Sequence, residues 1–192
     1  MPKSIKGSKT EQNLLKAFAG ESQARNRYTY FASAARKEEL HQIANIFQET
    51  ADNEKEHAKV FFGHLEGGDV EITASYPAGS IQDTKANLEA AACGEKMEWT
   101  TLYPEFGKIA RDEGYPEVAR SFEQIAKVEK FHEERYRKLV DNVVNGETFK
   151  RKTAVKWHCI NCGYVIEGNE PPKVCPACRH PQSFYEVLAE NY

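Results

Sequence analysis

Along the first three quarters of the chain, apolar residues recur every three or four positions, the spacing that gives a helix one buried face. The pattern predicts four long helices. The first runs from Lys9 to Lys37, with Ser8 and Glu11 spaced as a capping box. The second runs from His41 to Glu66 and stops at Gly67-Gly68. The third runs from Gln82 to Asp112, after a crossover of sequence DVEITASYPAGS. The fourth runs from Pro116, a favoured first helical residue, to Asn145. A polar stretch, NGETFKRKTAVK, follows Val144; Gly146 suits a helix C-cap and the stretch reads as a linker. From Trp157 the texture changes to aromatics, Gly, Pro and Cys, the mark of short strands and turns. The expected organisation is mainly α: a helical domain over residues 1–147 and a small domain over 153–192.

Charged residues interrupt the apolar stripes. The second helix reads Ile43, Phe47, Thr50, Glu54, His57, Phe61, Leu65, and the fourth reads Val118, Phe122, Ile125, Glu129, His132, Tyr136, Leu139. The first carries Glu21 among Leu14, Phe18, Tyr28 and Phe31, and the third carries Glu95 and Glu98 among Leu88, Ala91 and Leu102. Several buried carboxylates are strongly unfavourable unless cations neutralise them. One Glu on each of two helices, with Glu-x-x-His on each of the other two, is the ligand set of di-iron carboxylate bundles. Residues three apart share a helix face, so Glu54 with His57, and Glu129 with His132, can each grip a metal. Oxygen ligands with some nitrogen suit iron or manganese. Two short turns and one long crossover complete the description of a ferritin-like four-helix bundle.

The helical part is also an internal repeat. Ala35–His57 laid over Ala110–His132, a shift of 75, agrees at nine of 23 positions. Glu21 and Glu95 match instead at a shift of 74, whereas Tyr28 and Tyr103 match at 75. One residue has therefore entered the third helix between Lys96 and Ala110. In a straight helix Tyr103 would point about 80° away from Glu95; a π-bulge restores the shared face, and a kink at Pro104 is the rival. Glu98 has no acidic counterpart, since Ala24 stands at its repeat position, so it is either a seventh ligand or a glutamate that stands behind the ligands or at the surface.

Of the five cysteines, Cys159, Cys162, Cys175 and Cys178 form two Cys-x-x-Cys turns twelve residues apart. Two such turns facing each other make a tetrahedral thiolate site for zinc or a single iron. Cys93 stands alone as a small, soft helix residue, and His41, His64, His158 and His180 complete no ligand set.

With 192 residues, 40% hydrophobic and 29% charged, the chain is long and apolar enough to fold. A formal net charge of −3 supplies no attraction for nucleic acid or an anionic membrane. No apolar run approaches the ~20 residues a bilayer needs, and no signal-peptide core opens the chain, which points to a cytoplasmic protein.

Both motif sets, in this order and spacing, resemble the rubrerythrins, and the resemblance covers nearly the whole chain. Cys162-Gly163-Tyr164 and Cys175-Pro176-Ala177-Cys178 resemble rubredoxin knuckles, which favours iron over zinc. The resemblance implies two non-haem irons held by Glu21, Glu54, His57, Glu95, Glu98, Glu129 and His132, with Glu98 and His57 exchanging on one iron. It implies that Tyr28 and Tyr103 donate to ligating carboxylates, where plain core aromatics are the alternative. It implies one iron in Cys159, Cys162, Cys175 and Cys178, shielded by Trp157, Tyr164, Phe184 and Tyr185. The implied activity is a peroxidase that reduces hydrogen peroxide to water, supplied with electrons by an external reductase or rubredoxin. A homodimer or larger assembly is implied too, with electrons crossing between chains. An iron-binding ferroxidase, and a di-iron oxidase with a structural zinc ribbon, are the other classes the residues allow.

Overall fold

The computed structural model describes residues 3–191. Helix α1 spans Lys9–Lys37, α2 His41–Gly63, α3 Thr84–Met97, α4 Tyr103–Asp112 and α5 Pro116–Val144. A π-helical segment, Glu98–Leu102, joins α3 to α4, so the expected third helix is one rod with an irregular middle. The amide of Tyr103 reaches back five residues to the Glu98 carbonyl, which is how the rod absorbs the extra residue. Pro104 lies in the first turn of α4, where its missing N–H follows directly on the widened turn.

Helix ends depart slightly from expectation, for identifiable reasons. Ser8 Oγ accepts the Glu11 amide at 3.0 Å, but the Glu11 carboxylate accepts the amide of Gly7 at 2.7 Å rather than that of Ser8. Helix α2 stops at Gly63 instead of Glu66, whose carboxylate binds Ser4 Oγ at 2.6 Å and the Ile5 amide at 3.0 Å. Helix α3 begins two residues later than Gln82, because Asp83 is the N-cap and accepts the Ala86 amide at 2.8 Å. Beyond α5, Gly146 takes φ +65°, the left-handed conformation a helix stop favours.

The repeat is visible in how the helices are tied together. Glu38, after α1, accepts the Thr84 amide at the start of α3 at 3.0 Å. Its repeat mate Glu113, after α4, accepts the Lys9 and Thr10 amides at the start of α1 at 3.1 and 2.8 Å. Each carboxylate meets the free N–H groups and positive dipole end of a helix in the other half.

Helix α1 lies closely against α2, and α5 against α3 and α4, while the two hairpins approach each other more loosely. The apolar core is split in two. Phe31, Ile43, Phe47, Leu88 and Leu139 fill one end, and Leu14, Phe61, Phe122 and Ile125 fill the other. The stripe glutamates occupy the zone between.

The C-terminal part is a three-stranded antiparallel sheet, β1 Val155–Cys159, β2 Val165–Gly168 and β3 Tyr185–Val187, ordered β2-β1-β3. Trp157, Cys159, Cys175 and Tyr185 form its buried centre. It sits at the α2 N-terminus, where the rings of His41 and Phe184 lie 4.1 Å apart.

Candidate di-iron and thiolate metal centres

Mid-bundle, six of the seven expected side chains converge in two overlapping groups. Glu21, Glu54, His57 and Glu129 form one; Glu54, Glu95, Glu129 and His132 form the other, with the ligand atoms of each group within 4.8 Å of one another. Glu54 and Glu129 belong to both, and the repeat shift carries one group onto the other. His57 Nδ1 lies 2.9 Å from both Glu54 Oε2 and Glu129 Oε1. His132 Nδ1 lies 2.9 Å from Glu129 Oε2 and 3.2 Å from Glu54 Oε1. Its Nε2 donates to Asn53 Oδ1 at 3.3 Å, which turns Nδ1 toward the carboxylates. Asn53 has no repeat counterpart, Val128 standing at that position, so periodicity offered no signal for it.

Glu98 belongs to neither group. It is partly exposed and faces a cavity between α1, the π segment and the crossover. His57, not Glu98, stands among the converging atoms.

The phenols of Tyr28 and Tyr103 donate to Glu95 and Glu21 respectively, each across to the other half of the bundle. Burial and the facing carboxylates push both phenols far above their ordinary range, so both keep their protons and remain donors.

A cluster of cations fits this donor set. Glu21, Glu54, Glu95 and Glu129 are at most 1% exposed. Yet Glu21 Oε2, Glu54 Oε1, Glu95 Oε2 and both oxygens of Glu129 lack a well-aligned hydrogen bond, although the imidazoles lie close to Glu54 and Glu129. Burial and neighbouring carboxylates drive Glu21 well above its ordinary value, and burial lifts Glu95 to about 8. Burial disfavours the charged forms of Glu54 and His57, but their hydrogen bonds outweigh it: the imidazoles hold Glu54 down to about 2, and Glu129 and Glu54 raise His57 to about 10. Protons thus occupy a place that divalent metals fill better.

The four cysteine sulfurs also gather. Cys159 and Cys178 are 3.8 Å apart and Cys162 and Cys175 3.7 Å apart, too far for disulfides. Those spacings match the edge of a tetrahedron with metal–sulfur bonds of about 2.3 Å. Gly163 and Arg179, one residue past each Cys-x-x-Cys, both take positive φ, +82° and +65°, which folds the two turns alike. The backbone N–H of His180 helps draw the Cys178 thiol down to about 6. Trp157 and Tyr185 are buried beside the sulfurs, and Tyr164 and Phe184 are half-buried. Cys93 lies apart, exposed on α3, its sulfur 3.9 Å from an Arg137 nitrogen. None of the four remaining histidines joins a cluster: His64, for example, pairs with Ser121 Oγ at 2.9 Å.

Fold and site together define a ferritin-like carboxylate bundle, a candidate di-iron protein, carrying a rubredoxin-like four-cysteine knuckle. Comparison with known proteins agrees. The rubrerythrin family profile matches residues 12–140, and that of the rubrerythrin rubredoxin-like domain matches 157–186. A rubrerythrin of Porphyromonas gingivalis is 59% identical over 192 residues, covering 100% of this chain and 96% of its own. One from Nitratidesulfovibrio vulgaris is 56% identical over 190 residues, covering 99% and 100%. Among solved structures, fully reduced, all-ferrous nigerythrin superposes with a TM-score of 0.64 at 30% identity, over 96% of this chain and 92% of that one. The chain belongs to the rubrerythrin family.

Proposed function

We propose that the protein is a peroxidase that reduces hydrogen peroxide to water in a cytoplasmic defence against oxidants. The carrying observation is the pair of pockets that share Glu54 and Glu129, in one chain with a four-thiolate site. Two ferrous ions bound by these residues would supply two electrons, the number that reduces one H2O2 with two protons to two waters. The chain's own residues do the rest. Glu54 and Glu129 lie where they span both pockets and fix their separation. Glu21 with His57, and Glu95 with His132, complete the pockets at either side. Tyr28 and Tyr103 keep their protons and hold Glu95 and Glu21 in place. Glu98, which lies outside both groups, would be the carboxylate that exchanges with His57 on one bound iron. The apolar clusters at both ends keep bulk water from the carboxylates.

In this reading residues 1–147 carry out the peroxide chemistry and residues 153–192 relay electrons from an external reductase. The knuckle packs on its own chain at His41, thirteen residues or about 20 Å of helix from Glu54. That gap favours delivery to the bundle of a second copy, in a homodimer or larger assembly. Among the described residues no helix is long and apolar enough to cross a membrane. The test is stopped-flow mixing of the reduced, iron-loaded protein with H2O2. Rapid oxidation of the bundle iron supports the reading, and reaction with O2 but not with peroxide would replace it with a ferroxidase or oxidase.

A further inference from the structure

A cavity of about 360 Å³ lies between α1, the π segment and the crossover. Gly20 and Gly94 line it, mates at a shift of 74, each directly preceding a cluster carboxylate. Glycine inside a helix is destabilising relative to alanine, so two at matched positions call for a reason. Tight packing is not that reason. A Cβ on Gly20 would meet the Tyr76 ring at 3.7 Å, and one on Gly94 would meet Arg27 Nη2 at 3.7 Å, both ordinary contacts. What the glycines preserve is open volume. At the inner wall stand Tyr103, whose phenol holds Glu21, and Glu98, one turn beyond Glu95. A molecule in the cavity is thus one side chain away from the cluster.

The outer wall is the crossover, and residues 69–83 form no helix or strand. Tyr76 covers the mouth. Its ring lies over Gly20, its phenol donates to the Lys16 carbonyl at 2.8 Å, and it is 38% exposed. Among the described residues, this is the one hydrogen bond from residues 69–81 to the bundle. The other edge of the cluster near solvent is filled by the ring of His57, 12% exposed.

We propose that small oxidants reach the bundle cluster through this cavity, with Tyr76 as the clasp over its mouth. The substrate this implies, a compact hydroperoxide, rests on the peroxidase reading; the route itself does not. The test uses the full-length, iron-loaded protein and azide, whose binding to ferric iron is read optically and needs no turnover. Ala17→Leu fills the cavity from its α1 wall, and Tyr76→Ala opens the mouth. A constriction on a route alters entry and exit alike. Azide association and dissociation are therefore both expected to slow about tenfold in Ala17→Leu and to quicken severalfold in Tyr76→Ala, with Kd unchanged. In Tyr76→Ala, cumene hydroperoxide should also gain more than H2O2 in oxidising the reduced protein. Should Ala17→Leu fail to fold, Tyr76→Ala decides alone. Unchanged azide rates would place entry past His57 and overturn the proposal, and so would a shift in Kd without a matched change in rates. If azide behaves as expected while H2O2 leaves the reduced wild type unoxidised, the route stands and the peroxidase reading falls.

Discussion

The phenol of Tyr28 on α1 donates to Glu95 on α3, and the bond has a repeat-related twin, Tyr103 to Glu21, running the other way. The twin survives one extra residue between Glu95 and Tyr103 because the π segment absorbs it. In a straight helix Tyr103 would point about 80° away from Glu95, by the helix period.

Tyr103→Phe should therefore leave the fold intact but loosen Glu21. A buried carboxyl left without its hydrogen-bond partner costs about 1–3 kcal/mol, and lost support of a ligand weakens metal binding about 10–100-fold. Urea unfolding of the metal-free protein and iron competition with a chelator measure the two effects. Iron affinity equal to wild type would reduce Tyr103 to a core aromatic.

Metal-free protein should lose stability as pH rises. Burial lifts Glu95 from 4.5 to about 8, and contacts with Glu129 and Glu54 lift His57 from 6.5 to about 10 against the opposing effect of burial. Both groups bind protons more tightly in the folded chain, so stability is greatest below the unfolded values and falls as pH passes through the folded ones. Glu54, lowered to about 2, acts oppositely, but its contribution is already complete above 4.5. The Tm of the metal-free protein should thus fall between about pH 5.5 and about pH 9, about one unit inside the window from 4.5 to about 10. Iron replaces the protons, so the loaded protein should show a flatter profile. A metal-free Tm that rises over that window would show the carboxylates to be placed otherwise.

Much of this was legible because burial leaves a period. All seven residues of the predicted α5 stripe are buried, from Val118 to Leu139, Glu129 and His132 included. The insertion in the third helix was legible as a change of repeat shift from 74 to 75, and the structure resolves the choice in favour of a π segment, with Pro104 just beyond it. The end of α2 was not legible, since Glu66 is claimed by Ser4 and Ile5, partners about sixty residues away. Nor was the exchange of helix caps, although Glu38 and Glu113 were already among the matched pairs: identity at a repeat position marks a shared role without saying what it is. Asn53 and the His41–Phe184 contact depend on how separate elements meet, which no local pattern encodes.

Cys178→Ser should abolish turnover driven by a reductase yet spare the bundle. The sulfurs and the glutamates lie in separate cores. Circular dichroism and bundle iron content should match wild type, and chemically reduced protein should still react once with peroxide. Loss of that single reaction would show that the two parts do not act as separate modules.

Mixed assemblies should reveal delivery between chains. One chain carries Cys175→Ser and the other Glu129→Ala, each inactive alone. If electrons cross between copies, the isolated mixed dimer should regain peroxidase activity. Activity no higher than either parent, with both metals present, would place the route within one chain, along the helix from His41.

The most direct measurement follows both metal centres through one turnover. The protein is loaded with iron, fully reduced without oxygen, and mixed with one equivalent of H2O2 while absorbance and Mössbauer spectra are recorded. Expected are two bundle irons oxidised first by one peroxide, then a rise of the thiolate-to-iron band as the cysteine iron passes its electron to one of the oxidised bundle irons. A colourless protein holding zinc in its four cysteines, or bundle iron that stays ferrous in peroxide, would contradict the central claim.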